Sequence, residues 1–386
     1  MSSDPKTTVV LVGGGTIAPL HAKYLTTSPT CELVAIIDPF PPGELLAKTL
    51  GLPHHASVSA LLAALPSGQP QPDAYIVCVP SSLHVSVASE ILAQAQPKAM
   101  LVEKPLSVDS ASGATLLARA REAGCAILVG HHRRSHPAVS AARAAIEAGR
   151  IGQITAVSAL WTTKKGDDYF QVPGAGWRSR RSAGGGPIWT NMVHDIDALH
   201  YLMGSRIEQI SAMAVPRRRA RPDGVAEEDA VDEGAAVMAR FADGAVATFL
   251  ISDNTPSPFG WECASGDNPD YNPVPGNISI DTYRIFGTRG TLSIPDDVLW
   301  TYDGAIAAGE PANRIGWSYP MTREPLDPPA GIPFQRQTEH LGRVVRGLEK
   351  PVCSGADGLA AVQVCEAILQ ALEAGDGIPV SLSHPA

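Results

Sequence analysis

The chain has 386 residues, of which 44% are hydrophobic and 18% are charged, and its formal net charge is −9. This length favours two domains over one small core, and the negative charge argues against nucleic acid or an anionic membrane surface as the main partner. No apolar run is long enough to span a membrane. The six cysteines are widely spaced and no secretory signal precedes the first apolar segment, which together predict a cytoplasmic protein with reduced thiols.

Short β-branched segments alternate with Ala- and Leu-rich segments of helical spacing over residues 1–130. The β-branched segments are TTVVLVG, CELVAIID, DAYIVCVP, AMLVEKP and CAILVGHH. Such regular alternation predicts βαβ units, in which a doubly wound parallel sheet is covered by helices on both faces.

The first of these segments runs into a glycine-rich turn. The stretch VVLVGGGTIAPLHAKYL places Gly13, Gly15 and Ala18 in the G-x-G-x-x-G/A pattern, after a strand and at the start of a helix. Backbone amides in such a turn bind a pyrophosphate. The second segment ends in Asp38, about twenty residues beyond Ala18, where a carboxylate accepts hydrogen bonds from ribose hydroxyls. Because no arginine follows Asp38 to hold a 2′-phosphate, the pattern predicts NAD rather than NADP.

The sequence after about residue 150 predicts a mostly antiparallel sheet. Longer strand-like stretches are ITAVSALW, RIEQISAMAVP, GAAVMARFADGAVATFLIS and NISIDTYRIFGTRGTLSIP. The ADG at 242–244 indicates a hairpin, and two helices are expected near 333–348 and 355–373. Two long irregular segments, 164–186 and 254–277, are rich in turn-forming residues and are typical of functional loops.

The stretch GGGPIWTNMVHDIDALHYL, residues 184–202, predicts a glycine turn and then a helix that begins at Pro187. The apolar residues at helical spacing are expected to face the core: Ile188, Met192, Ile196, Leu199 and Met203. The polar residues at the same spacing are Thr190, Asn191, His194, Asp197 and Tyr201. By itself the histidine on this face favours a structural hydrogen bond, just as the lysine of EKP (103–105) by itself favours a surface turn.

Five groups of motifs, taken in chain order, favour a functional role for this histidine and this lysine. They are GGGTIAPLHAKYL, VPSSLH, EKP, GHHRRSHP, and GWR followed by GGGPIWTNMVHDID. Together they resemble the glucose–fructose oxidoreductase, inositol dehydrogenase and rhizopine-catabolism (Gfo/Idh/MocA) family of NAD(P)-dependent oxidoreductases. The resemblance implies a Rossmann NAD-binding domain at 1–130 and an α/β domain with a large, mostly antiparallel open sheet at 131–386. It also implies a homodimer or homotetramer formed through that sheet.

The resemblance implies an enzyme that acts on a small-molecule polyol, such as a sugar or cyclitol, or on a related carbonyl compound. It implies that Lys104 and His194 are the catalytic pair at the reacting oxygen. The imidazole of His194, with an ordinary pKa of about 6.5, can take a hydroxyl proton near neutral pH. The ammonium of Lys104 can stabilise the negative charge that develops on the oxygen. The implied cofactor-binding residues are Gly13, Gly15, Thr16, Ile17, Asp38, Pro80, Ser81, His84, Glu103, Lys104, His132 and Tyr283. The implied substrate-binding residues are Trp177, Arg178, Thr190 and Asn191, with Lys164, Lys165 and Tyr169 of TTKKGDDYF as further candidates.

The chain departs from the family pattern at two positions. Thr190 stands where many members carry an Asp one helical turn before the histidine, although some subgroups place an Asn at the next position, as Asn191 does here. His132 replaces a common Asn, and because His131, His132 and His136 have no carboxylate or cysteine nearby in the sequence, no metal site is predicted. Two alternatives stay open: a carbonyl or imine reductase of a secondary-metabolite pathway, and a dinucleotide-binding sensor without chemistry.

Overall fold

A computed structural model of the protein describes residues 5–382 except 173, 175, 269–270, 273, 275–277 and 376. The described chain divides after Ser135, Ala330 and Gln363 into two compact units, and residues 331–363 belong to the first of them. This differs from the single boundary near residue 130 that the sequence predicts, because the chain returns to the first unit near its end.

The first unit is built on a six-stranded sheet whose paired strands all run parallel, in the order β3-β2-β1-β4-β5-β6. The strands are β1 (Thr7–Val12), β2 (Cys31–Ile37), β3 (His54–His55), β4 (Ala74–Val77), β5 (Ala99–Val102) and β6 (Ala126–Val129). The helices between them are α1 (Ala18–Thr27), α2 (Pro41–Leu50), α3 (Val58–Ala64), α4 (His84–Gln94) and α5 (Ser110–Glu122). The predicted parallel sheet is confirmed, and the five predicted strands are β1, β2, β4, β5 and β6. Strand β3 was not predicted, because two histidines carry no strand pattern.

The second unit holds a nine-stranded sheet in the order β14-β13-β12-β11-β7-β10-β9-β8-β15. Its strands are β7 (Ile154–Thr162), β8 (Ile207–Ala214), β9 (Gly234–Phe241), β10 (Val246–Ser252), β11 (Tyr283–Gly287), β12 (Gly290–Ile294), β13 (Val298–Thr301), β14 (Thr322–Pro325) and β15 (Val380–Ser381). The pair β7–β10 is parallel and the other pairs are antiparallel. The predicted antiparallel character and the hairpin of β9 and β10 are confirmed.

Seven further helices lie in the described part of the chain. They are α6 (Pro137–Glu147), α7 (Asp167–Gln171), α8 (Val193–Met203), α9 (Trp261–Ser265), α10 (Asp303–Ala307), α11 (Pro333–Val345) and α12 (Gly355–Ala374). Helix α11 returns to the first unit, where Leu341 and Val344 join the same buried core as Leu25 and Leu33. This burial of apolar surface is the physical reason for the return of the chain. In the described part of the chain, no helix has the length and apolar content needed to cross a membrane.

Candidate active site

The glycine turn after β1 has the geometry that a dinucleotide requires. Gly13 has a φ of 95°, and a Cβ there would lie 2.9 Å from the carbonyl carbon and oxygen of Cys78, so both conformation and space demand glycine. A Cβ on Gly15, in contrast, would meet nothing within 4 Å. Thr16 is exposed and Ile17 half-buried at the start of α1, while Ala18 is fully buried against the sheet. The turn thus presents an open cradle of backbone at a helix N-terminus, which fits a pyrophosphate.

Asp38 follows β2 and holds this turn directly. Its Oδ2 accepts a hydrogen bond of 2.7 Å from the Gly14 amide, and its Oδ1 accepts one of 3.0 Å from the Phe40 amide. Only 6% of Asp38 is exposed. A carboxylate has about four lone-pair sites, so each oxygen keeps acceptor capacity for a ribose hydroxyl. The residue therefore fits both a structural and a cofactor-binding role.

His84 connects the segment after β4 to the EKP turn. It begins α4, directly after the short 3-10 turn Ser81–Leu83 whose N-cap is Pro80. Its Nδ1 lies 2.7 Å from the Pro105 carbonyl oxygen, and its Nε2 lies 3.0 Å from the Val79 carbonyl oxygen. Because the ring is buried, His84 fixes the backbone that follows Lys104.

Glu103 anchors the same turn from inside the sheet. Its Oε1 lies 2.7 Å from His21 Nε2 of α1, and its Oε2 accepts a 3.1 Å hydrogen bond from the Lys104 amide. Burial opposes ionisation of Glu103, but the hydrogen bond and charge of His21, together with Lys104, lower its pKa to about 2. A Cβ on Gly130 would lie 2.8 Å from this carboxylate, which explains the glycine. His21 is not among the predicted site residues, because its pairing with Glu103 has no local sequence signal.

Lys104 itself stands one residue beyond the end of β5, and its peptide bond to Pro105 is cis. The side chain is partly exposed at the edge of the sheet where ligands bind in open α/β folds. His132, the last of the predicted cofactor-binding residues of this unit, stacks on Phe334 with ring centroids 4.8 Å apart. The same Phe334 meets His21 edge-on at 5.4 Å, so His132 and His21 contact the same aromatic ring.

In the second unit, the glycine triplet at 184–186 forms a turn and not a phosphate cradle. Gly184 and Gly186 have φ values of 78° and 88°, and a Cβ on Gly185 would lie 2.6 Å from the carbonyl oxygens of Trp177 and Arg178. The chain then makes one π-helical turn, Ile188–Met192, before α8 begins. Wide turns of this kind are frequent at functional sites.

Helix α8 is buried on nearly all sides. The predicted apolar stripe is buried as expected, but His194 and Asp197 on the polar face are also only 5% and 0% exposed. Asp195, next to His194, accepts a hydrogen bond from the Tyr283 hydroxyl of β11. The Tyr283 ring stacks on Trp261 at 5.5 Å. Tyr283, which the resemblance implies as a cofactor-binding residue, therefore fixes the first turn of the helix that carries His194.

The two adjacent lysines of TTKKGDDYF have different surroundings. Lys164 pairs through its backbone with Asn254 in an isolated antiparallel bridge. The Lys165 ammonium instead lies 2.7 Å from Asn191 Oδ1 and 3.3 Å from Thr190 Oγ1, and its side chain is only 8% exposed. The structure thus brings Lys165 together with two predicted substrate residues. Sequence alone gave no means of choosing between the lysines.

Aromatic rings alternate with cations beside this contact. The Lys165 ammonium lies 4.7 Å from the centre of the Tyr169 ring and 5.5 Å from that of Trp161. The Arg178 guanidinium lies 4.0 Å from the same Tyr169 ring and 5.8 Å from that of Trp177. Arg178 also donates a 2.6 Å hydrogen bond to the Tyr169 carbonyl oxygen. The predicted substrate residues Tyr169, Trp177 and Arg178 therefore form one connected cluster with Lys165.

A buried carboxylate balances these cations. Asp253, 1% exposed, accepts a 2.8 Å hydrogen bond from Arg219, and its Oδ2 lies 4.0 Å from the Lys165 ammonium. Burial raises the pKa of Asp253, while Lys165 and Arg219 act against that rise. Glu233 accepts hydrogen bonds from the backbone amides of Arg218 and Arg219, which fixes the arginine next to Asp253.

Comparison with protein families identifies the class that this fold and nucleotide turn define. Residues 7–131 match the family described as "Oxidoreductase family, NAD-binding Rossmann fold", and residues 139–293 match the "GFO/IDH/MocA C-terminal domain". The first unit thus has the NAD-binding Rossmann fold of an oxidoreductase family. The chain belongs to the Gfo/Idh/MocA family, which the order of its motifs predicts.

Curated relatives agree with this assignment. The putative UDP-kanosamine synthase oxidoreductase subunit of Amycolatopsis mediterranei is 32% identical over 207 residues, which cover 53% of this chain and 50% of that protein. Inositol 2-dehydrogenase of Rhizobium meliloti is 28% identical over 206 residues, which cover 53% and 57%. The chain thus spans about half the length of these two relatives. An uncharacterized oxidoreductase of Bacillus subtilis, YrbE, is 21% identical over 97% of this chain and 96% of its own length.

Solved structures share the whole fold. The WlbA dehydrogenase from Bordetella pertussis, in complex with NADH and UDP-GlcNAcA, has a TM-score of 0.72 at 21% identity and covers 99% of this chain and 100% of its own. An aldose-aldose oxidoreductase from Caulobacter crescentus has a TM-score of 0.74 at 20% identity and covers 98% and 100%. Identities this low carry the fold alone.

Proposed function

We propose that this protein is an NAD-dependent dehydrogenase that oxidises a secondary hydroxyl of a sugar, a cyclitol or a related polyol. The observation that carries the proposal is the support of Lys104. Its backbone is held on one side by the buried Glu103 carboxylate and beyond Pro105 by His84, within an NAD-binding oxidoreductase fold. A surface lysine in an ordinary turn needs no such framework. The inositol 2-dehydrogenase among the relatives supports a hydroxylated ring as substrate.

The residues have distinct chemical tasks in this proposal. NAD, when bound, supplies the hydride acceptor. Lys104 donates a hydrogen bond to the substrate oxygen and stabilises the negative charge that grows there. His194 accepts the hydroxyl proton at an imidazole nitrogen, so that the oxygen can become a carbonyl. Glu103 and Tyr283 position these two groups through the backbone of Lys104 and through Asp195.

We also propose that the protein assembles as a homo-oligomer through the outer face of the nine-stranded sheet. Met213 is 53% exposed and Leu250 is 43% exposed, and both pair with Ala236 of β9. Leu250 pairs in turn with Leu160 of β7, so an apolar row crosses four strands. Contiguous exposed apolar surface of this kind marks interaction sites.

The direct test is NADH formation by the purified protein with myo-inositol, aldoses, uronic acids and nucleotide sugars, at mildly alkaline pH and with NADP in parallel. We expect turnover with NAD and at least one hydroxylated ring. Tight NAD binding without turnover of any of these compounds would contradict the dehydrogenase and favour a carbonyl or imine reductase, or a sensor.

Two variants test the catalytic assignment. We expect Lys104→Ala to abolish turnover while NAD binding stays measurable by calorimetry, and His194→Ala to slow turnover by about a hundredfold or more. Lys98→Ala is the matched control, because Lys98 is exposed and pairs with Asp73 at the surface. Wild-type rates in both active-site variants would show that the assignment is wrong.

A further inference from the structure

The burial of Lys165 needs a physical reason. A lysine side chain that is only 8% exposed loses most of its hydration, and proteins seldom bury lysine without partners. The backbone fixes the residue as well, since its amide donates a 2.8 Å hydrogen bond to the Asp253 carbonyl oxygen beyond β10. Trp161 and Tyr169 supply aromatic faces to the ammonium. The fold therefore holds one positive charge at one defined point beside the start of α8.

The ammonium determines the orientation of the Asn191 side chain. Lysine carries three donors and no acceptor, so the atom that faces it at 2.7 Å is the Asn191 oxygen, Oδ1. The Thr190 hydroxyl lies 2.8 Å from the same oxygen. Within the part of the chain that the structure describes, no residue hydrogen-bonds the Asn191 nitrogen, Nδ2. Its two N–H groups are thus presented as donors.

We propose that Lys165 is a positioning residue of the substrate site, which fixes the Asn191 carboxamide so that its NH₂ group donates to an acceptor oxygen of the bound ring. This inference rests on the proposed function. It also assigns a role to Thr190, whose hydroxyl lies 2.8 Å from the same Asn191 oxygen. A carboxylate would only accept hydrogen bonds, whereas the fixed amide donates. The ring oxygen it contacts is therefore one that accepts a hydrogen bond, such as a hydroxyl, a ring ether or a carboxylate.

The test compares Lys165→Met, which keeps the apolar stem and loses the charge, with Lys165→Arg and with Lys98→Met as control, because Lys98 is exposed and pairs with Asp73 at the surface. Kinetics use whichever compound of the panel the wild-type enzyme oxidises. We expect Lys165→Met to raise the KM for that compound about tenfold or more with a smaller change in kcat, and to leave the Kd for NAD unchanged. Lys165→Arg, which keeps the donor, is expected to recover part of the loss, and Lys98→Met to behave as wild type.

A double-mutant cycle decides whether Lys165 acts through Asn191. We expect Asn191→Leu to raise KM by at least as much, and Lys165→Met to add little in the Asn191→Leu background, because the effects of coupled residues are not additive. If Lys165→Met multiplies KM by the same factor in both backgrounds, the positioning role is overturned. A loss that appears only as lower thermal stability, with unchanged KM, would also overturn it.

A second readout separates this inference from the proposed function. If the wild-type enzyme oxidises none of the compounds, the proposed function fails, and the Asn191 side-chain amide is then followed by NMR in protein labelled with ¹⁵N-asparagine and assigned with Asn191→Leu. Lys165→Met is expected to shift these resonances, and Lys98→Met is not. Unchanged resonances in Lys165→Met would overturn the inference independently of any activity.

Discussion

At the scale of single residues, Asp38 shows how one carboxylate serves structure and ligand together. It accepts hydrogen bonds from the Gly14 and Phe40 amides and lies at the carboxyl end of its strand. The sequence predicts its presence there from the distance to the glycine turn. The hydrogen bond to the turn depends on the pairing of β1 with β2 and is visible only in the structure.

We predict that Asp38→Ala weakens NAD binding by about tenfold or more, since charge-assisted hydrogen bonds contribute roughly 1.5–3 kcal/mol. The same change is expected to reduce the difference in affinity between NAD and NADP. Calorimetry with both dinucleotides measures the change. Asp73→Ala is the matched control, because Asp73 also accepts a hydrogen bond from a backbone amide, that of Thr8. Asp73 precedes β4 and therefore lies at the opposite end of the sheet. An unchanged preference in Asp38→Ala would remove the residue from the ribose contact.

Glu103 gives a pH dependence whose sign follows from its pKa. The folded-state pKa of about 2 lies below the ordinary value of 4.5. The ionised Glu103 therefore stabilises the folded protein fully above pH 4.5, and this stabilisation is lost as the pH falls towards 2. We expect the free energy of unfolding of the wild-type protein to fall, between about pH 7 and about pH 4, by roughly 1 kcal/mol more than that of Glu103→Gln. Urea unfolding at the two pH values measures the difference. Equal losses in both proteins would contradict the predicted ionisation of Glu103.

At the scale of elements, the nucleotide turn separates two reasons for glycine. Gly13 is required by its φ and by the Cys78 backbone, whereas Gly15 borders open space. We predict that Gly15→Ala folds with an unchanged melting temperature but binds NAD about tenfold more weakly, because its methyl group projects into the pyrophosphate cradle. Gly316→Ala, where a Cβ also meets nothing within 4 Å, controls for the substitution itself. NAD affinity equal to wild type in Gly15→Ala would place the pyrophosphate elsewhere.

Helix α8 shows that the hydrophobic pattern of a sequence does not by itself determine which residues are buried. The 3.6-residue spacing predicts its two faces as those of an ordinary α-helix, whereas the turn that precedes α8, Ile188–Met192, is π-helical. Its polar face is buried because the helix is covered by other elements, such as α6 and the Tyr283 side chain of β11. A hydrophobic pattern reports which residues prefer water and not which residues reach it.

At the scale of the whole molecule, the exposed apolar row of the nine-stranded sheet carries the oligomer prediction. We expect the wild-type protein to be a homo-oligomer and Leu250→Lys to form a smaller species, because a charge in an apolar interface loses its hydration. Size-exclusion chromatography with light scattering measures the mass. Leu45→Lys is the control, since Leu45 is 67% exposed on α2 of the first unit. An oligomer of unchanged mass in Leu250→Lys would exclude this face as the interface.

The sequence by itself determined the parallel sheet, the glycine turn, Asp38 and the antiparallel hairpin of β9 and β10. Each depends on residues that are close along the chain, where local sterics, turn chemistry and hydrophobic alternation act directly. The short strands β13 and β14 escaped prediction because their pairing partners, and not their own composition, stabilise them.

The tertiary structure alone decided three features of the site and the core. It paired His21 with Glu103 across 82 residues of sequence, placed Lys165 and not Lys164 against Asn191 across 26 residues, and returned residues 331–363 to the first unit. None of these contacts has a local signal, because each is selected by the burial of apolar surface and by the need of buried polar groups for partners.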